Sequence, residues 1–191
     1  MARSTAGSPS DDAPASTAKN PSRTSALPPD EAGHELVGRT VAINRPREEL
    51  YDFWRDFRNL ARFMENIERV DVLDDRRSHW VVSAPAGRTV EWDSIIEEDV
   101  PNEVIAWRSA KDADIRHSGR VEFRPAPGGR GTAVTVTIAY DPPAGGVGKI
   151  IARLFQKEPR LQARRDLRRF KQLMETGEIA TAEPPDAAPR H

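Results

Sequence analysis

The sequence predicts an α+β domain in which an antiparallel sheet of seven strands is closed by a long amphipathic C-terminal helix. Three observations carry the prediction. Seven short segments have strand-like alternation or β-rich composition, compact turn signals separate most successive segments, and a final apolar stripe repeats at three- and four-residue steps.

The first strand is read over residues 36–44, where Val37, Val41 and Ile43 share one parity and suit a half-buried strand. Arg45-Pro46 interrupts it, and Pro46 is suited to open a helix because its missing N–H would have no helical partner there. Across residues 46–64, Leu50, Phe53, Trp54, Phe57, Leu60, Phe63 and Met64 recur at helical spacing and give one apolar face. Asp56 and Asn59 mark a kink or a second short helix, so two short helices are expected after strand one.

Six further strands are read over residues 66–73, 78–84, 89–98, 103–109, 117–125 and 132–140. Asp74-Asp75, Pro85-Ala86-Gly87, Pro101-Asn102 and Pro127-Gly128-Gly129 supply the turns. Connections this short imply hairpins, since parallel neighbours need crossovers of about a dozen residues or more. Alternation sets Trp80, Val82, Val90, Trp92, Ile96, Ile105 and Trp107 on a dry face, continued by Val121, Phe123, Val134, Val136, Ile138 and Tyr140. Glu91, Asp93, Glu97, Arg120, Glu122 and Arg124 fall on the wet one.

The closing helix is read over residues 148–176, with Ile150, Ile151, Leu154, Phe155, Leu161, Leu167, Phe170, Leu173 and Met174 on its inner stripe. Pro159 predicts a kink or short break near Glu158, and Gly177 suits a C-terminal cap. Residues 1–35 hold Leu27 as their one large aliphatic, and residues 178–191 are rich in Pro and Ala, so both are expected as disordered tails around a domain at 36–177.

Composition narrows the chemistry. With 29 Lys and Arg against 30 Asp and Glu, no global field attracts nucleic acid, and no nucleic-acid partner is expected. The absence of cysteine removes thiolate chemistry and Cys-based metal sites. No apolar run reaches the roughly 18 residues a membrane span needs, and the first residues lack the apolar core of a signal peptide, which reads as a cytoplasmic protein. Gly145-Gly-Val-Gly-Lys149 lacks the glycine spacing and the Ser/Thr of a phosphate-binding loop; it is read as a flexible entry to the helix.

Several stretches look familiar: Tyr51-Asp-Phe-Trp-Arg-Asp-Phe57, Arg62-Phe-Met64, Val90-Glu-Trp-Asp93, Ile105-Ala-Trp-Arg-Ser109, residues 119–125, and Leu167-Arg-Arg-Phe-Lys-Gln-Leu-Met-Glu175. Together they resemble bacterial SRPBCC (START-like) proteins, most nearly the group labelled polyketide cyclase/dehydrase or coenzyme Q-binding-like, over about residues 36–178. The resemblance implies the helix-grip fold. It also implies a deep apolar cavity between sheet and terminal helix, which in the wider family holds lipids, polyketides, hormones or quinones. Its motifs are structural, and no defining catalytic residues accompany them.

On that footing Trp80, Trp92, Trp107, Phe123 and Tyr140 are candidates to line the cavity, with Ile96 and Val136 beside them. Trp54 and Phe57 close one wall, and Ile151, Leu154 and Phe155 come from the closing helix. Ordinary core packing is the alternative for each.

Of the histidines, His34 and His191 lie in or beside the tails, while His79 and His117 are read as outward strand positions. His117 beside Asp114 and Arg116 is read as a solvated strand start, and Glu91 with Asp93 as wet sheet face. No catalytic residue, metal or cofactor is assigned.

The favoured function is a carrier or sensor of a hydrophobic small molecule. The alternative is a cyclase/dehydrase-type enzyme using the same cavity, with Tyr140, Arg108 or Ser94 aiding proton transfer. A third reading is an interaction module contacting a membrane or RNA through Arg160, Arg164, Arg165, Arg168, Arg169 and Lys171, set against a solvated face paired to acids on the sheet rim.

Overall fold

Period-two alternation requires a sheet with one buried face, and the computed structural model, which describes residues 35–113, 115–141 and 159–179, builds it from seven antiparallel strands. They are β1 (Glu35–Ile43), β2 (Ile67–Val72), β3 (Arg77–Ala84), β4 (Arg88–Val100), β5 (Val104–Ser109), β6 (Arg116–Pro125) and β7 (Thr132–Asp141). Their order is β1-β7-β6-β5-β4-β3-β2. The chain from β2 to β7 is therefore a continuous meander, and β1 closes its far side by pairing Val41 with Val134 and Ile43 with Thr132. Each strand lies within two residues of its expected bounds.

The turns use the chemistry their residues supply. Asp74 Oδ1 accepts the N–H groups of Arg76 (2.8 Å) and Arg77 (2.7 Å), folding β2 back onto β3. Asn102 takes φ 64° between β4 and β5, a left-handed conformation that Asn tolerates. After β6, Gly131 sits at φ 80° with its Cα so close to β1 that an added Cβ would lie 2.2 Å from the Ile43 carbonyl oxygen. Only glycine meets both demands.

Two register shifts were invisible to alternation, one in β2 between Ile67 and Arg69 and one in β4 between Ile96 and Glu98. The second has a use. It sets Glu98 opposite Ala106, which itself faces Arg120, so Arg120 reaches over the small alanine to pair with Glu98.

Between β1 and β2 run α1 (Arg47–Arg55) and a 3-10 turn (Phe57–Arg62). Pro46 is the residue capping α1, extended at φ -61° and ψ 149°, one position earlier than the helical start expected of it. Asp56 makes the expected break: its backbone leaves the helix and its side chain accepts the Arg58 N–H at 3.2 Å.

The closing helix is described as α2 (Pro159–Thr176). It ends at Gly177, whose φ of 80° lets its N–H return to the Leu173 carbonyl at 2.9 Å, the expected C-terminal cap. Arg45 covers the next carbonyls, donating to Met174 O at 2.7 Å and Glu175 O at 3.0 Å. The Asn44 N–H donates to the Glu175 carboxylate at 2.8 Å.

The expected break near Glu158, the glycine-led entry at 145–149 and the tails expected over 1–34 and 180–191 fall outside the described residues. Among the described residues, no helix is long and apolar enough to cross a membrane.

The core lies between the sheet and the helices. Leu50, Trp54, Leu60 and Phe63 enter from the first helical segment, Leu167 and Phe170 from α2, and Ile105, Val121, Phe123 and Val134 from the sheet, all essentially inaccessible. Outside, Arg77, His79 and Asp93 form one polar group, and Arg120, Glu122 and Arg124 another.

Candidate functional site

Trp80 on β3 pairs directly with Trp92 on β4, and Trp107 follows on β5, so adjacent strands bring three indoles together on the buried face. Trp80 stacks on both others, with ring centroids 6.1 Å apart and planes inclined by 22° in each case. Phe57, delivered by the 3-10 turn, meets Trp80 and Trp107 edge-on at 5.5 and 5.4 Å. His117, at the start of β6, lies 6.0, 5.5 and 6.5 Å from the rings of Trp80, Trp92 and Trp107.

Trp107 fits because of the residue across from it. It faces Gly119 on β6, and a Cβ there would fall 2.2 Å from the indole ring. The glycine leaves the space that the ring occupies.

A second aromatic group joins Tyr51, Phe53, Trp54, Phe63 and Phe123 to Phe170 of α2. Among the described residues, no ring-to-ring contact links the two groups. One group is sealed by α2. The other, around the three tryptophans, receives only Phe57 from the helical layer among these ring contacts.

Polar atoms inside the tryptophan group follow a local rule. Trp80 Nε1 donates to Ser78 Oγ at 2.9 Å and Trp92 Nε1 to Ser94 Oγ at 3.1 Å, each serine two residues away on the same face of the same strand. Trp107 also has a buried serine two residues on, but Ser109 Oγ accepts the His117 backbone N–H at 3.0 Å. Among the described residues, Trp107 Nε1 and His117 Nδ1 are buried without a partner. Leaving such a group unpaired costs about 1–3 kcal/mol.

His117 corrects the expectation of an outward, solvated position: it is 8% exposed. Its parity explains why, since His117, Gly119, Val121 and Phe123 all face inward on β6. Burial among carbon surfaces pushes its pKa down to about 4, so the ring is neutral at ordinary pH. His79 does lie on the outer face, where its Nδ1 meets Asp93 at 2.8 Å and the carboxylate raises its pKa.

The structure gathers Trp54, Phe57, Trp80, Trp92, Ile96, Trp107, Phe123 and Val136 in one buried cluster. Trp54 and Phe123 belong to the group sealed by α2. For Tyr140 the backbone pairs with His117 across β6 and β7, while its side chain, like Ile151, Leu154 and Phe155, lies outside what is described. Of the polar candidates, Arg108 pairs with Glu97 on the wet face, and the Ser94 hydroxyl is occupied by Trp92.

On α2, Arg164, Arg165 and Arg168 are exposed, and the ion pair described on this helix is Lys171 with Glu175 at 2.6 Å, not arginine with the sheet rim. Asp166 is half-buried, accepting the Glu65 N–H (3.4 Å) and Gln162 Nε2 (2.9 Å). Desolvation raises its pKa to about 7.

Ser78, Ser109, His117 and Gly119 were not singled out from the sequence for these roles. The signal for the serines was present: each clustered tryptophan has a serine two residues along.

The model of one protein family, described as polyketide cyclase/dehydrase and lipid transport, matches residues 43–168. A crystal structure from Deinococcus radiodurans is 43% identical, with a TM-score of 0.62, and the match covers 75% of this chain and all (100%) of that one. The Zhui aromatase/cyclase from a Streptomyces species, 17% identical, has a TM-score of 0.59 over 78% of this chain and 100% of its own, and shares the fold. So does a START superfamily protein from Mycobacterium smegmatis, 18% identical, with a TM-score of 0.50 over 71% and 99% of the two chains. An uncharacterized 17.2 kDa protein of Streptomyces lincolnensis is 30% identical over 87 residues, which span 46% of this chain and 57% of that protein. The order of one strand, two short helices, six strands and a terminal helix is the helix-grip arrangement.

Proposed function

Since the chain belongs to the polyketide cyclase/dehydrase and lipid transport family, we propose that it binds a hydrophobic small molecule of lipid, quinone or polyketide-like character between sheet and C-terminal helix, as a carrier or sensor. The observation that carries this reading is the cluster of Trp80, Trp92 and Trp107 with Phe57, whose ring contacts are separate from the aromatic group sealed by α2. Large aromatic faces with few polar groups suit a flat or isoprenoid ligand. Ile96 and Val136 extend this wall, and Tyr140, Ile151, Leu154 and Phe155 complete it in this proposal. Trp54 and Phe123 support it from the sealed group.

Native mass spectrometry of protein purified from its source tests the reading, together with thermal shifts in the presence of quinones and aromatic polyketides. A retained ligand or a shift is the expected result. A clean unliganded spectrum with no shift from either class overturns it.

The enzymatic alternative has one specific support. Among the described residues around the tryptophans, His117 is the titratable side chain, and its burial keeps it in the neutral form that a proton acceptor needs. Conversion of a poly-β-ketone by the chain, abolished in His117→Phe, would establish an enzyme in place of a carrier.

A further inference from the structure

Two of the three clustered tryptophans are electrostatically finished. Ser78 and Ser94 take the indole protons of Trp80 and Trp92, so these rings offer a neighbour only carbon. The third tryptophan makes no such bond, and Ser109 Oγ instead accepts the His117 backbone N–H. Among the described residues, two buried polar atoms here have no partner, Trp107 Nε1 and His117 Nδ1, on rings whose centroids lie 6.5 Å apart. Among the described residues Trp54 Nε1 is also unpartnered, but its ring contacts lie within the group that α2 closes.

We propose that the Trp107 indole N–H and the His117 imidazole form the polar anchor of the binding site, and that the ligand is a planar conjugated molecule bearing a phenolic or hydroxyquinone oxygen. The proposal rests on the reading of the tryptophan cluster as a hydrophobic ligand site. An indole N–H can only donate, so it requires an acceptor oxygen. A neutral imidazole donates through one nitrogen and accepts through the other. A phenolic hydroxyl answers both groups at once, its oxygen accepting from Trp107 and its O–H donating to His117 Nδ1 when the ring proton is on Nε2. The attached ring system then lies against the carbon faces of Trp80 and Trp92. A saturated acyl chain in the same place would leave both polar atoms unpaired, which sets the ligand class apart from fatty lipids.

The test compares 1-naphthol with naphthalene, which differ by one hydroxyl, binding to the full chain. Affinity is read by calorimetry and the four indole N–H signals by nitrogen–proton correlation NMR, each signal assigned by a Trp→Phe variant. We expect naphthol to bind about tenfold more tightly, as one well-made hydrogen bond gives. The Trp107 indole signal should move downfield with naphthol and not with naphthalene. In His117→Phe the preference should fall severalfold, since the Trp107 N–H alone is left to meet the oxygen. The indole shift is read on the unaltered chain, so the test stands even where the variant fails to fold. Equal affinities with an unmoved Trp107 signal overturn the anchor and leave the hydrophobic site standing. Binding of neither probe overturns both.

Discussion

Burial keeps His117 neutral and favours the protonated form of Asp166, and the two effects on stability run in opposite directions. His117 titrates near 4 in the folded chain against 6.5 in an unfolded one, so the unfolded state takes up the proton first and stability falls as pH drops through that window. The full loss is about 3 kcal/mol. Asp166 titrates near 7 against 3.8, so the folded state holds the extra proton and stability falls as pH rises between those values. Urea denaturation from pH 4 to 7 should therefore show His117→Phe gaining on the parent chain toward acid, and Asp166→Asn gaining toward neutrality. Parallel curves for all three chains would contradict the burial assigned to both groups. At Gly119 the constraint is steric. Gly119→Ala should cost about 1–3 kcal/mol by the same measurement and weaken the near-ultraviolet circular dichroism of the tryptophans, because Trp107 must leave its place. None of this was hidden in composition. His117 shares parity with Val121 and Phe123, and reading it as a solvated strand start placed residue type above period. What no local pattern holds is the fate of Ser109, since its proton donor arrives from another strand.

At the scale of elements, the ends are fixed by groups far away in sequence. Arg45 and Asn44, just past β1, cover the C-terminal turn of α2, and Lys171 Nζ returns to the Ala42 carbonyl at 2.7 Å. Arg45→Ala should therefore lower the unfolding free energy by about 1–2 kcal/mol, measured by guanidinium denaturation. Arg164→Ala, on the exposed side of the same helix, should change it by less than about 0.5 kcal/mol. α1 is tied to the sheet by Arg55, which binds Asp99 at 2.6 Å, and by the Tyr51 hydroxyl on the same carboxylate; burial, then that bond, pushes the tyrosine up to about 12. Strand and helix existence was legible because alternation, turn residues and the α2 stripe all agreed. The shifts in β2 and β4 were not, since a bulge is set by how two strands meet and leaves little mark on either alone.

For the whole molecule, occupancy and stability are linked. Any ligand that binds the folded chain alone adds about 2.7 kcal/mol at a hundredfold excess over its Kd, enough to raise the melting temperature by several degrees in a domain of this size. A 1-naphthol titration followed by calorimetric melting should show that rise in the parent chain and a smaller one in Trp107→Phe. The family and fold could be read from the sequence because aromatic positions run from Tyr51 to Phe170 with turn residues between them. The separation of the aromatic ring contacts into a group packed by α2 and a tryptophan group could not, because it depends on which rings finally touch.

The pairing of β1 with β7 also governs how the chain is made. Thr40 meets Thr135 through their hydroxyls at 2.8 Å, 95 residues later in synthesis. At ordinary ribosomal speeds that interval is roughly 5–20 s, during which β1 waits for the strand it pairs with. The meander from β2 onward can assemble hairpin by hairpin as it emerges, but its last edge is completed by β1, translated before any of them.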